Sequence, residues 1–97
     1  MPQLDPLTLP HGRRLVDESA RQVLGHVQKN KRELILLSLT NWHGEEFGDI
    51  RVYVVNEVGL YVPTRKGLTV RPAVALELHE ALTAARPALE EAARAVT

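Results

Sequence analysis

From Arg13 to Val27 the apolar residues Val16, Ala20, Val23, Leu24 and Val27 recur at spacings of three and four, with Arg13, Arg14, Asp17, Glu18, Arg21 and Gln22 between them. That period predicts an amphipathic helix, although Gly25 interrupts it. The polar KNKRE at 29–33 separates it from ELILLSLTNW at 33–42, which a turn-like HGEE follows, as a strand would be. Alternation puts Leu34, Leu36, Ser38, Thr40 and Trp42 on one face and Ile35, Leu37, Leu39 and Asn41 on the other, and the second face is the expected core. In GDIRVYVV, 48–55, Arg51, Tyr53 and Val55 oppose Ile50, Val52 and Val54. NEVG supplies a turn, and GLYVP and KGLTV complete four short strands.

After Pro72 the chain becomes rich in Ala, Leu and Glu, and Val74, Leu78, Leu82, Ala85 and Leu89 form a stripe at helical spacing. Pro87 either kinks this helix or begins a second one. The first dozen residues, with three prolines and a glycine, predict an irregular lead-in. The expected fold is therefore α+β: a four-stranded antiparallel β-meander followed by a long C-terminal helix, with an extra N-terminal helix. Residues 1–28 form the N-terminal extension with its amphipathic helix, and 29–97 the main domain.

A chain of 97 residues, 44% hydrophobic and 25% charged, has the length and composition of one globular domain with a modest core. One helix covers one face of a sheet, so the remaining apolar surface of the C-terminal helix is expected to pack against a second copy in an isologous homodimer. No cysteine is present, which removes disulfides, thiolate metal sites and thiol nucleophiles. No apolar run approaches the roughly 20 residues that span a bilayer, and the first residues lack a basic start followed by an apolar core. A cytoplasmic protein with no membrane partner is the expectation. Net charge is zero, but residues 29–71 carry seven cations against five anions, so a weak basic excess falls on the predicted strands.

Within that excess lie the segments WHG at 42–44, DIRVY at 49–53 and PTRKG at 63–67, and RPAVALELHEAL at 71–82 follows from its end. Through their order and separation, the chain from Leu37 to Leu82 resembles the single-stranded-DNA-binding domain of the transcriptional coactivator positive cofactor four and its bacterial relatives. The resemblance implies a β-β-β-β-α subunit, a homodimer organised around the helices, and a curved sheet that holds a single strand of DNA, with RNA as the alternative. Trp42 falls where the family places a base-stacking aromatic, and Arg51, Arg65 and Lys66 fall where it keeps cations. His43 matches a basic position in part. Glu45 and Val62 replace family lysines, Val54 replaces a tryptophan, and Arg71 stands where an asparagine caps the helix, which sets Arg71 outside the binding set.

Aromatic faces stack on unpaired bases at about 1–3 kcal/mol each without regard to sequence, and cations follow the phosphates. The candidate nucleic-acid-binding residues are Trp42, His43, Arg51, Tyr53, Arg65 and Lys66. Four of them have a plainer role: core packing for Trp42, an ion pair with Asp49 or Glu57 for Arg51, and a solvated loop pair for Arg65 and Lys66. HGEEFGD is more economically a hairpin turn than a metal site. No nucleophile triad or phosphate-binding glycine loop is present, so neither an enzyme nor a cofactor is expected. Two functions compete: a homodimeric single-stranded-DNA-binding protein of little sequence preference acting in transcription, and an interaction or dimerisation module that has kept the fold and lost much of that affinity.

Overall fold

The computed structural model describes residues 9–96, with Ser19 described by its backbone alone. Its four strands are β1 (Arg21–Gln28), β2 (Glu33–Trp42), β3 (Glu45–Val55) and β4 (Tyr61–Val70), joined in the antiparallel order β1-β2-β3-β4. Two helices follow, α1 (Pro72–Ala84) and α2 (Arg86–Ala95). Short 3-10 turns at Pro10–Gly12 and Glu18–Ala20 precede the sheet. The irregular lead-in expected for the first dozen residues lies, as far as residue 8, outside the described residues.

The predicted N-terminal helix is not formed; residues 21–28 are the first strand of the sheet. The helical spacing arose from a β-bulge. Register along β1 slips between Val23 and Gly25, so Leu24 is an extra residue opposite the β2 ladder. Val23 points to one face while Leu24 lines a groove on the other, and the slip turns a period of two into an apparent period of three and four. Two β-branched valines flanking a glycine also disfavour helix. Because β1 pairs with β2 along its length, residues 21–28 belong to the same sheet as the strands beyond residue 29.

The segments GLYVP and KGLTV, expected as two strands, are one. Pro63 pairs with Tyr53 and Gly67 with Arg51, so Thr64, Arg65 and Lys66 bulge opposite Val52 alone. The Thr64 hydroxyl fixes the bulge by donating to the Val52 carbonyl at 2.8 Å and accepting from the Lys66 amide at 3.2 Å. Gly67 is required there, since a Cβ would collide with the Ile50 carbonyl oxygen and lie 2.8 Å from the Arg51 Cα. The long C-terminal helix is likewise divided. Ala85 ends α1, and Pro87 takes the first turn of α2, where its missing amide hydrogen costs nothing.

The two sheet faces are used differently, and the core lies on the one that alternation had not favoured. Leu34, Leu36, Ser38, Tyr53 and Tyr61 are fully buried, with Val23 and Val55 buried beside them. They are covered by a strap formed by residues 9–20, whose Leu9 and Leu15 insert into this cluster. The strap begins beside β4, where the Val16 amide donates to the Tyr61 carbonyl and the Tyr61 amide to the Arg14 carbonyl, each at 2.9 Å. By Arg21 it has crossed to β1 on the opposite edge. Three interstrand gaps of about 4.8 Å separate those edges, a distance of about 14 Å that six residues span readily. On the opposite face, Ile35, Leu37 and Leu39 stay partly exposed beneath α1, which itself has no buried residue. Among the described residues no helix is long and apolar enough to cross a membrane.

If the strap completes the core, Leu15→Ala should lower stability by about 2–4 kcal/mol in urea denaturation. Val16→Ala, at a position 53% exposed, should change it little. Equal effects at the two positions would show that the strap is not packed.

Candidate nucleic-acid interface

The β2–β3 hairpin turns on two residues, His43 and Gly44, with φ of 53° and 84°. Paired left-handed residues are what a tight hairpin needs to follow the strand twist, and the Asn41 side chain accepts the Gly44 amide at 3.2 Å. The HGEE segment is therefore the expected turn. Among the described residues no three histidine, aspartate or glutamate side chains come together as a metal site. The turn lifts Trp42, 65% exposed, to the tip of the sheet. The His43 ring stands edge-on to it with ring centroids 4.3 Å apart. By pairing register Trp42 shares the strap face with Thr40 and Phe47, beyond the area that the strap covers.

Arg65 and Lys66 lie at the other end of the candidate set. The bulge pushes both out from the edge strand, where they are exposed, and neither has an ion-pair partner among the described residues. Lys66 does contribute to the field at Glu33, whose carboxyl is held below its ordinary range, first by the Asn30 amide and then by Lys29 and Lys66. Along β3, Trp42 sits opposite Glu45 and the bulge opposite Val52. Seven residue steps separate them, about 23 Å. The subunit thus offers an aromatic at one end of the sheet and a cation pair at the other.

Arg51 and Tyr53 lie between these ends and are committed to internal contacts. Tyr53 was expected to add aromatic surface and does not, because it is completely buried under the strap. Its hydroxyl donates to Asp17 at 3.1 Å, and the Arg21 guanidinium lies 5.8 Å from its ring centroid. Burial pushes the Tyr53 hydroxyl pKa far up; Arg21 opposes that rise and Asp17 adds to it, so the phenol stays protonated. Arg51 donates to both carboxylate oxygens of Asp49, to the Thr64 carbonyl at 3.0 Å and to the Thr69 hydroxyl at 3.0 Å. Its side chain is 19% exposed, so the ion pair weighed against a phosphate contact is formed. Glu57 is not the partner.

Asp49 is the centre of this network. Arg21 reaches it from β1 at 3.1 Å while also donating to Ser38 on β2, and the Thr69 hydroxyl donates to it from β4 at 2.8 Å. Arg21 also closes on one oxygen of Asp17, Oδ2, with two nitrogens, at 3.0 Å and 2.9 Å, a charge-assisted contact. Burial pulls the Asp49 pKa upward, but hydrogen bonds from Arg51 and Thr69 and the nearby charges of Arg51 and Arg21 outweigh it. The carboxyl stays below its usual range. Thr69 is engaged here and leaves the α1 N-terminus without a side-chain cap, as it is also without one from Arg71. The alternation of Asp49 and Arg51 already placed these two on one face; Arg21 was hidden because its strand was read as helix.

Arg71, which sequence placed outside the binding set, lies on this same face. Its guanidinium sits 5.6 Å from the centroid of the Phe47 ring, and it approaches Glu45 at 3.8 Å. Phe47 was not singled out from sequence, since a lone phenylalanine after a turn carries no distinguishing pattern.

The chain is similar to two crystal forms of BPSL1147, a PC4 homolog from Burkholderia pseudomallei K96243. Against the orthorhombic form the TM-score is 0.64 at 30% identity, covering 69% of this chain and 90% of that one. The chain belongs to the PC4 family. The tetragonal form gives a TM-score of 0.63, also at 30% identity, over 68% of this chain and 97% of that one. No family model and no curated protein matches the sequence. Nearly the whole of the PC4 homolog is matched, and about a third of this PC4-family chain lies outside the match.

The Asp49 hub sets a pH dependence. Because folding depresses this carboxyl, its contribution is complete above about pH 4 and is lost as pH falls through the lower folded value. Asp49→Asn leaves the half-buried Arg51 without its anion and Arg21 with Asp17 alone, and should cost about 2–3 kcal/mol at pH 7. Acid titration of urea midpoints should show the difference from the parent shrinking below about pH 4. A difference that stayed constant to pH 3 would remove Asp49 from this role.

Proposed function

We propose that this PC4-family chain is a homodimeric protein that binds single-stranded DNA with little sequence preference and acts as a transcription-associated regulator in the cytoplasm, on the nucleoid if its source is bacterial. The observation that supports this most is the pairing, on one PC4-type sheet, of an exposed indole with two unpaired cations. An unpaired base can reach Trp42 and stack, and the backbone of the same strand can run toward Arg65 and Lys66. Neither group recognises a base edge, so sequence would matter little. Stacking needs a splayed base, which a duplex does not supply.

Support for the dimer comes from the opposite face. Leu24, Leu37, Leu39 and Ile50 of the sheet and Leu76 and Leu82 of α1 line an open apolar groove. Leu76 is 67% and Leu82 55% exposed in the single chain. An apolar surface of this extent on so small a subunit calls for a partner, and a second copy inserting its own α1 satisfies both grooves at once. Leu76→Glu should then convert the protein from dimer to monomer in sedimentation equilibrium. A parent that sediments as a monomer at tens of micromolar would end the dimer proposal.

A second function, an interaction module with weakened nucleic-acid affinity, is favoured by one set of observations. Glu45 and Glu46 flank the Trp42 tip, Arg51 is neutralised by Asp49, and Val54 and Val62 offer neither ring nor charge. Salt-titrated fluorescence anisotropy with labelled oligothymidine separates the two. With Arg65 and Lys66 each neutralising one phosphate, the double variant Arg65→Ala with Lys66→Ala should flatten the log–log salt slope by about 1.4. A parent that fails to bind at low salt, or a double variant that binds like the parent, would favour the interaction module.

A further inference from the structure

On the strap face, the ladder sets Thr40 opposite Phe47 and Trp42 opposite Glu45, so the indole and the phenyl ring lie on neighbouring strands of one face, diagonally adjacent. Arg71 leaves β4 just beyond Thr69, the partner of Asp49, and its guanidinium lies over the Phe47 ring at 5.6 Å. Pro72 follows at the first turn of α1 and fixes the backbone from which Arg71 projects. The arginine has no capping duty. Its contact with Glu45, at 3.8 Å between side chains 66% and 59% exposed, is a weak solvated pair that leaves the guanidinium available. Trp42, Phe47 and Arg71 thus form one patch of planar groups between the hairpin tip and the end of the strap.

We propose that Arg71, seated on Phe47, is a second base-stacking platform beside Trp42, so that successive unpaired bases of one strand stack on the indole and on the outer plane of the guanidinium. The inference rests on the single-stranded nucleic acid function above and adds a residue that sequence had set aside. The guanidinium beside the ring stays 66% exposed, so its plane is open to a base, and both aromatic rings and arginine planes accept splayed bases. The phenyl ring keeps the guanidinium within cation–π distance, at 5.6 Å, so less side-chain freedom is lost when a base arrives. The same group supplies a positive charge at the end of the sheet remote from Arg65 and Lys66, where Glu45 and Glu46 would otherwise repel phosphate.

The test uses the full chain and short oligothymidine, with anisotropy for affinity and the single tryptophan, Trp42, as a fluorescence reporter of stacking. Arg71→Ala should weaken binding about tenfold and flatten the salt slope by about 0.7. Arg71→Lys keeps the charge and loses the plane, so it should retain the parent slope yet remain several-fold weaker. Phe47→Leu should produce an intermediate loss, and the two exposed-site Arg71 variants decide the matter if that variant folds poorly. Quenching of Trp42 by oligothymidine should persist in Arg71→Ala, because the indole platform is separate. Parent-like affinity in Arg71→Ala, or full affinity in Arg71→Lys, would overturn the platform while leaving the function intact. A parent that binds no oligothymidine would overturn both.

Discussion

Two arginines close on one buried carboxylate at the middle of the sheet, and most of the molecule's geometry is organised by that contact. Asp49 draws Arg21 from β1, Arg51 from its own strand and Thr69 from β4, while Arg21 also engages Ser38 on β2 and Asp17 on the strap. Every strand and the segment that crosses them therefore share one charge network. Such a network is costly to break by removing one partner, since a buried charge is then left uncompensated. It also has a functional consequence. Two of the chain's cations that lie on the strap face are held in internal pairs, so the net field there is set by Arg71 and by the acids at the hairpin tip.

The strap divides its face into two regions with different roles. At one end Leu9 and Leu15 seal an apolar cluster around Tyr53 and Tyr61, and that end is closed to any ligand. At the other, Trp42, Phe47 and Arg71 remain accessible. The boundary falls at Asp17, whose carboxylate joins the strap to Arg21 and to the Tyr53 hydroxyl. The helix face is the reverse case: it is apolar over a wide area and open, which suits a second copy of the chain.

What sequence could disclose followed from how strongly each local pattern was constrained. The hairpin at His43–Gly44, the strands carrying ELILLSLTNW and DIRVY, and the proline-started helix each carry a turn residue or alternation that few conformations satisfy. The first strand was lost because one bulged residue, Leu24, shifted the apolar spacing toward that of a helix. With β1 misassigned, Arg21 could not be placed near Asp49, and the strap that buries Tyr53 had no visible target. The inward face of β2 was also chosen wrongly, because its two faces are nearly equally apolar and the choice depends on whether strap or helix covers each. Trp42, Arg65 and Lys66 were legible as exposed positions, whereas the Arg71–Phe47 contact joins residues far apart in sequence and has no local signature.

The bulge in β4 bears on how the sheet ends. An edge strand with free amides and carbonyls invites another strand to add to it, which leads to open-ended association. Here Leu15 occupies the start of that edge, Pro63 removes a donor from it, and the bulge breaks its regular spacing while presenting Arg65 and Lys66 outward. A flat neighbouring strand would meet a gap and two positive charges. Strand addition at this edge is thereby disfavoured, which leaves the apolar groove lined by α1 as the surface for the dimer proposed above.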